Sequence, residues 1–126
     1  MDVLRIDHIN IGVPKHLLDD VRCFYVDILG LTEGKRPSFS SCGYWLYAAG
    51  NPLVHLSESK QRRSPSGNGY LDHVAFRVTN PDRLVEKLEK AGIDYSRSQI
   101  DELGLGQFFF QDPAGNGLEA NFTVQD

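Results

Sequence analysis

At 126 residues, with 40% hydrophobic and 24% charged side chains, the chain has the composition of a globular protein and not of a disordered or fibrous one. Thirteen basic against seventeen acidic residues leave a net charge of −4, which excludes a global attraction to nucleic acid or anionic lipid, and no stretch approaches the roughly twenty apolar residues of a membrane span. Two cysteines, Cys23 and Cys42, exclude a disulfide framework and are expected to be reduced and structural.

In chain order, residues 6–13, Ile-Asp-His-Ile-Asn-Ile-Gly-Val, read as a strand: Ile9, Ile11 and Val13 point one way and His8 the other. The chain enters this strand with no room for a signal peptide, so a cytoplasmic location is expected. Pro14 ends the extended run. Leu17, Leu18, Val21, Phe24, Tyr25, Ile28 and Leu29 then recur at helical spacing until Gly30 caps the helix. Short strands are expected at 31–35, 42–49 and 53–57, with a turn at Gly50-Asn51-Pro52 and His55 on the last strand. Residues 58–70 carry Ser, Gly, Asn and Pro without periodicity and read as a linker; its basic residues Lys60, Arg62 and Arg63 are expected to be solvated, with a grip on a substrate anion as the alternative. The plan then repeats: a strand at 71–79, Asn80 as N-cap with Pro81 at the first helical position, and Leu84, Val85, Leu88 and Ala91 as the buried stripe before Gly92. Strands at 93–98, 106–111 and 118–124 follow, the last two joined by the turn Asp112-Pro113-Ala114-Gly115-Asn116.

The repetition is explicit. Leu71-Asp72-His73-Val74-Ala75-Phe76-Arg77-Val78 echoes residues 6–13, and Gly115-Asn116-Gly117-Leu118-Glu119 echoes Gly50-Asn51-Pro52-Leu53-Val54-His55. The domain reading is therefore one domain, 1–126, made of module one (1–57), the linker (58–70) and module two (71–126). Each module is strand, helix, three strands, and about sixty residues make a marginal core alone. If each helix covers the apolar face of its sheet, the opposite faces line a cavity into which His8, His55, His73 and Glu119 all point. Any one of these residues has an ordinary explanation as a packed or surface group. Their equivalent places on equivalent strands favour a mixed nitrogen and oxygen metal site, suited to Zn, Ni, Co, Fe or Mn better than to Ca or Mg. His16 lies outside the pattern and reads as a surface residue. The aromatics Tyr44, Trp45, Tyr47 and Phe109 are expected in the core, with pocket lining as the alternative.

The blocks Asp7-His8-Ile9, Phe24-Tyr25-Val26-Asp27-Ile28-Leu29-Gly30-Leu31, Asp72-His73-Val74-Ala75-Phe76 and Asp112-Pro113-Ala114-Gly115-Asn116-Gly117-Leu118-Glu119 resemble the vicinal oxygen chelate superfamily of glyoxalase I, bleomycin resistance proteins and extradiol dioxygenases. The resemblance implies an α+β fold in which two βαβββ modules form a curved mixed sheet around a metal-containing cavity. It also implies one divalent metal ion held by His8, His55, His73 and Glu119, a small-molecule substrate and a homodimer, with the metal site built within one chain or from two. The chemistry implied is of glyoxalase I type: the metal stabilises an enediolate and Glu119, the only carboxylate of the set, acts as base. His55 stands where a typical bacterial glyoxalase I has a second glutamate.

Two other readings stand beside this lyase or isomerase. One is an extradiol-type dioxygenase with a two-histidine, one-carboxylate iron site; against it, Phe110 occupies the place of that pattern's tyrosine and no acid-base histidine lies in the preceding loop. The other is a binding protein that sequesters a small molecule, as bleomycin resistance members do, although those generally lack the ligand set. A thiol transferase like the fosfomycin resistance proteins shares the triad, but no arginine follows Glu119. Epimerase activity would want a second carboxylate base on the aromatic strand, which has none.

Overall fold

Alternation and helical spacing decide which faces are buried. The computed structural model describes residues 1–60 and 70–124, and the chain separates into two compact units, Met1–Arg62 and Arg63–Asp126. The first contains β1 (Ile9–Val13), α1 (Lys15–Asp27), β2 (Thr32–Gly34), β3 (Gly43–Ala48) and β4 (Asn51–Glu58). Its four-stranded mixed sheet has the order β1-β4-β3-β2, with β1 parallel to β4 and the other pairs antiparallel. The second contains β5 (Val74–Arg77), α2 (Pro81–Lys90), β6 (Ser96–Ile100), a 3-10 turn (Asp101–Leu103), β7 (Leu105–Gln111) and β8 (Gly117–Thr123), in the equivalent order β5-β8-β7-β6. The βαβββ plan read from the repeat is the plan observed.

In the first unit α1 buries Leu18, Val21, Phe24 and Tyr25, and Leu46, Val54 and Leu56 are buried on β3 and β4 against which it lies. In the second, Leu84 and Leu88 of α2 are buried, as are Phe108, Phe110, Leu118, Ala120 and Phe122. Each fully buried large apolar side chain stabilises the fold by roughly 1.5–3 kcal/mol, so these stripes hold helix to sheet. Gly30, at φ 73°, turns the chain out of α1 so that the Leu31 N–H reaches the Tyr25 carbonyl.

Several boundaries differ from the sequence expectation. β1 and β5 start at Ile9 and Val74, so His8 and His73 stand one residue before their strands instead of within them. The segments ahead of them expose Val3, Leu4, Ile6, Tyr70 and Leu71. The turn after β3 is Ala49-Gly50, both at positive φ as a two-residue hairpin requires, and Asn51 and Pro52 already belong to β4. Pro52 is tolerated there because β1 pairs only with Val54 and beyond, and the ladder to β3 is irregular at Leu46/Tyr47. Asn80 is the N-cap residue but makes no side-chain cap bond; it adopts the left-handed conformation, φ 52°, that asparagine tolerates better than most residues. Ala91 is exposed, and β6 begins at Ser96, later than the spacing suggested. Cys23 and Cys42 are free but exposed, so neither packs the core. The predicted linker falls mostly on residues 61–69, and with Arg62 and Arg63 lies outside the described residues. Among the described residues no helix is long and apolar enough to cross a membrane.

Candidate functional site

Glu119 is placed by a turn that its own sequence builds. The buried Asp112 carboxylate accepts hydrogen bonds from the backbone N–H groups of Ala114 and Asn116 and from the Asn116 amide, and Gly115 at φ 85° closes the turn. The chain leaves this turn into β8, where Leu118 and Ala120 take the core face and Glu119 the other. Gly117 allows β8 to approach the start of β5: a Cβ there would lie 2.6 Å from the Asp72 carbonyl oxygen and 3.4 Å from the His73 Cβ.

His73 and Glu119 meet. The His73 Nε2 is 3.2 Å from Glu119 Oε1, while its Nδ1 donates to Asp72 Oδ2 at 2.8 Å. Asn121, two residues on and on the same face of β8, donates its Nδ2 to Glu119 Oε2 at 2.9 Å and leaves its own Oδ1 buried without a partner. The Asp72 hydrogen bond, reinforced by the Glu119 charge, holds the His73 pKa above its ordinary value against the opposing effect of burial. The Phe109 ring packs edge-on against His73, with centroids 5.8 Å apart.

In the first unit the imidazoles of His8 and His55 stack, centroids 3.8 Å apart and planes 12° from parallel, and the Trp45 indole stacks on the far face of the ladder, 4.0 Å from His55. The His8 Nδ1 donates to Asp7 Oδ2 at 2.8 Å, repeating the Asp72–His73 pair and pulling the Asp7 pKa down. His55 donates from Nε2 to the Pro52 carbonyl at 3.1 Å, which leaves Nδ1 as its basic nitrogen. Burial, helped by the positive potential of His8 and Arg36, pushes the His55 pKa below its ordinary value. Parallel stacked rings aim their in-plane lone pairs side by side and not at a common point. Coordination of one ion by both therefore requires one ring to turn, and His8, half-exposed and outside the strand, is the less constrained of the two.

The structure thus brings His8 to His55 and His73 to Glu119, and His16 is exposed on α1 as expected. Within either unit, among the described residues, no three His, Cys, Asp or Glu side chains gather into a metal cluster. The donor chemistry nonetheless suits a transition ion. An imidazole nitrogen and a carboxylate oxygen bound to one ion at roughly 2.1 Å each lie about 3 Å apart, close to the His73–Glu119 separation. Asp7 and Asp72 fix the protonated nitrogen of their histidines, leaving Nε2 as the ligating atom, in the manner of carboxylate-histidine-metal triads.

Three contributors escaped the sequence reading. Asp7 and Asp72 were visible in the repeated Asp-His dipeptide. The pairing of Trp45 with His55 and of Phe109 with Glu119 places an aromatic side chain opposite a proposed ligand at the same register in both sheets, a signal obscured by the core role expected of these rings. Tyr44, by contrast, lies with α1, donating to Asp19 and carrying Arg22 over its ring. Nothing in the spacing marked Asn121.

The chain matches the Glyoxalase/Bleomycin resistance protein/Dioxygenase superfamily over residues 5–120. It is 32% identical over 116 residues to Glyoxylase I 4 of Arabidopsis thaliana, covering 87% of this chain and 67% of that protein. The fold is similar to that of a glyoxylase/bleomycin resistance protein/dioxygenase domain from Frankia sp. EAN1pec, with TM-score 0.76, 23% identity, and 98% and 95% of the two chains covered. It is also similar to a genomically encoded fosfomycin resistance protein from Listeria monocytogenes, with TM-score 0.71, 18% identity, and 94% and 91% covered. By its match along nearly its whole length, and by the doubled βαβββ plan described above, the chain belongs to the glyoxalase/bleomycin resistance protein/dioxygenase superfamily.

Proposed function

We propose that this protein is a divalent-metal-dependent enzyme of glyoxalase I type, a lyase or isomerase acting on a small substrate with two neighbouring oxygens. The observation that carries the reading is the 3.2 Å approach of His73 Nε2 to the buried Glu119 Oε1, with the other faces of both groups already held by Asp72 and Asn121. His8, His55, His73 and Glu119 would hold a zinc, nickel, iron, manganese or cobalt ion. Such an ion, when bound, supplies Lewis-acid stabilisation of negative charge on the substrate oxygens.

The remaining work belongs to the chain. Glu119 takes a proton from the carbon beside the substrate carbonyl and returns it to the adjacent carbon, so the substrate is isomerised with no net change in its atoms. Asn121 holds Oε2 and so fixes the plane of the carboxylate through the transfer. The Trp45 and Phe109 rings pack against His55 and His73 and give the site apolar walls. The relationship to a plant protein named Glyoxylase I 4 supports this choice among the superfamily's activities. Phe110, buried in the core, puts no hydroxyl beside the acid pair, which weighs against the dioxygenase alternative.

We further infer a homodimer in a reducing compartment such as the cytoplasm. The apolar side chains exposed at the entry to both β1 and β5 support association, and two free, exposed thiols suit a reducing environment. Light scattering of the purified protein tests the dimer.

Metal analysis of protein purified without added metal, paired with two assays, tests the activity. Nickel or zinc with consumption of a hemithioacetal supports the proposal. Iron with oxygen uptake on a catechol replaces it by a dioxygenase, and the absence of a transition metal at any occupancy replaces it by a binding protein.

A further inference from the structure

Arg36 is a cation seated with no anion. Its Nη1 donates to the Ser41 carbonyl at 3.1 Å, its Nη2 reaches the Ser41 hydroxyl only at 3.5 Å, and its Nε is buried without a partner. Among the described residues no carboxylate lies within ion-pair distance of it, although seventeen acidic residues are available in the chain. The seat is specific. A Cβ on Gly43 would collide first with the Leu56 carbonyl oxygen and would also lie 2.7 Å from Nη2, so the glycine demanded by the close approach of β4 leaves room for the guanidinium, and the Phe39 ring lies under the guanidinium carbon at 4.8 Å.

From this seat an aromatic series runs to the imidazoles. Phe39, about half exposed, tilts against Trp45 at 6.4 Å, Trp45 stacks on His55 at 4.0 Å, and His55 stacks on His8 at 3.8 Å. A permanently charged guanidinium without a carboxylate partner among the described residues, set beside two aromatic rings tilted 48° to each other, is an arrangement that recognises a carboxylate carried on an apolar body: the oxygens pair with the guanidinium and the attached group packs against the rings.

We propose that Arg36, Phe39 and Trp45 form a binding subsite for an aromatic or conjugated carboxylic acid, the carboxylate on Arg36 and the attached group against Phe39 and Trp45. The subsite deepens the proposed function by making the substrate of this enzyme an organic acid whose reacting end extends toward His55. Its recognition elements are all in the first unit and need no metal.

The protein reports on the subsite directly, because Trp45 is its single tryptophan. Metal-stripped protein titrated with benzoate should show a saturable change in Trp45 emission, and benzamide, equal in shape but uncharged, should bind about tenfold more weakly or less well still, the usual worth of a charge-assisted pair. Arg36→Met should bring benzoate down to the affinity of benzamide, and Arg36→Lys should recover part of the difference. Equal binding of the two probes by the wild-type protein, or an unchanged preference for benzoate in folded Arg36→Met, would overturn the proposal. If Arg36→Met does not fold, the wild-type comparison decides alone. Failure here with metal and hemithioacetal turnover intact removes the acid subsite and leaves the enzyme reading standing; success with no metal found does the reverse.

Discussion

The two units set a histidine at the same point of the same fold, His8 before β1 and His73 before β5, and face it with opposite partners, His55 and Glu119. His73 lies between two carboxylates, Asp72 and Glu119, and its pKa is raised; His55 lies between two rings, His8 and Trp45, and its pKa is lowered. The register is shared, so the divergence comes from side chains alone: Glu119 occupies in β8 the place of His55 in β4, and Phe109 that of Trp45. The second unit offers a charged, oriented pair suited to gripping a cation and moving a proton. The first offers two stacked imidazoles and, beyond Trp45, the Phe39 ring with the Arg36 cation over it. On the proposed reading, the duplicated module divides into a chemical half and a recognition half.

If that division holds, the largest effect belongs to Glu119. Glu119→Gln should lower kcat on a hemithioacetal by at least about a hundredfold, as expected for loss of a general base, while elemental analysis still finds part of the metal. The matching change His55→Gln should mainly weaken metal binding. Unchanged turnover in Glu119→Gln would erase the distinction between the halves.

Next come the orienting aspartates. Asp72→Asn and Asp7→Asn should each weaken metal binding by about 10–100-fold in competition with a chromophoric chelator, the usual cost of losing a carboxylate behind a ligating histidine. A loss confined to Asp72→Asn would place the ion on the second unit alone.

The glycines of the two ligand-strand turns make a third contrast. Gly117→Ala drives a methyl into the Asp72 carbonyl and should cost about 1–3 kcal/mol of stability in urea unfolding, with weakened metal binding as His73 shifts. Gly50→Ala meets nothing within 4 Å and carries only the left-handed strain of φ 80°, about 1–2 kcal/mol, with metal binding unchanged.

The smallest effect is titration. In metal-stripped protein, NMR should find His73 titrating above and His55 below the ordinary imidazole value. Because the folded His73 binds its proton more tightly than the unfolded chain does, its contribution to stability is full below the unfolded pKa and disappears as pH rises through the folded one. For His55 the sign reverses: the unfolded chain takes the proton first, so a penalty grows as pH falls from the unfolded pKa toward the folded one. Chemical-shift titrations with the two histidines in the opposite order would contradict the contrast between the units.

What the sequence by itself determined about this protein was whatever depends on neighbours along the chain. Alternation in 9–13 and 74–78, helical spacing from Leu18 to Tyr25 and from Leu84 to Leu88, and the repeated turn residues are local signals, and they yielded both modules, their connectivity, and four residues at equivalent places in the two modules. Strand ends were less legible. Whether His8 and His73 lie inside β1 and β5 depends on backbone hydrogen bonds to β4 and β8, and those bonds begin at Ile9 and Val74. Only the tertiary structure decided which face of each ring meets which neighbour: that His55 stacks on His8 while His73 faces an acid, that Asn121 holds Glu119, and that Arg36 rests in the space Gly43 leaves open. These relations join residues brought together from separate strands, and their energies depend on distances of a few ångströms that no periodicity along the chain encodes.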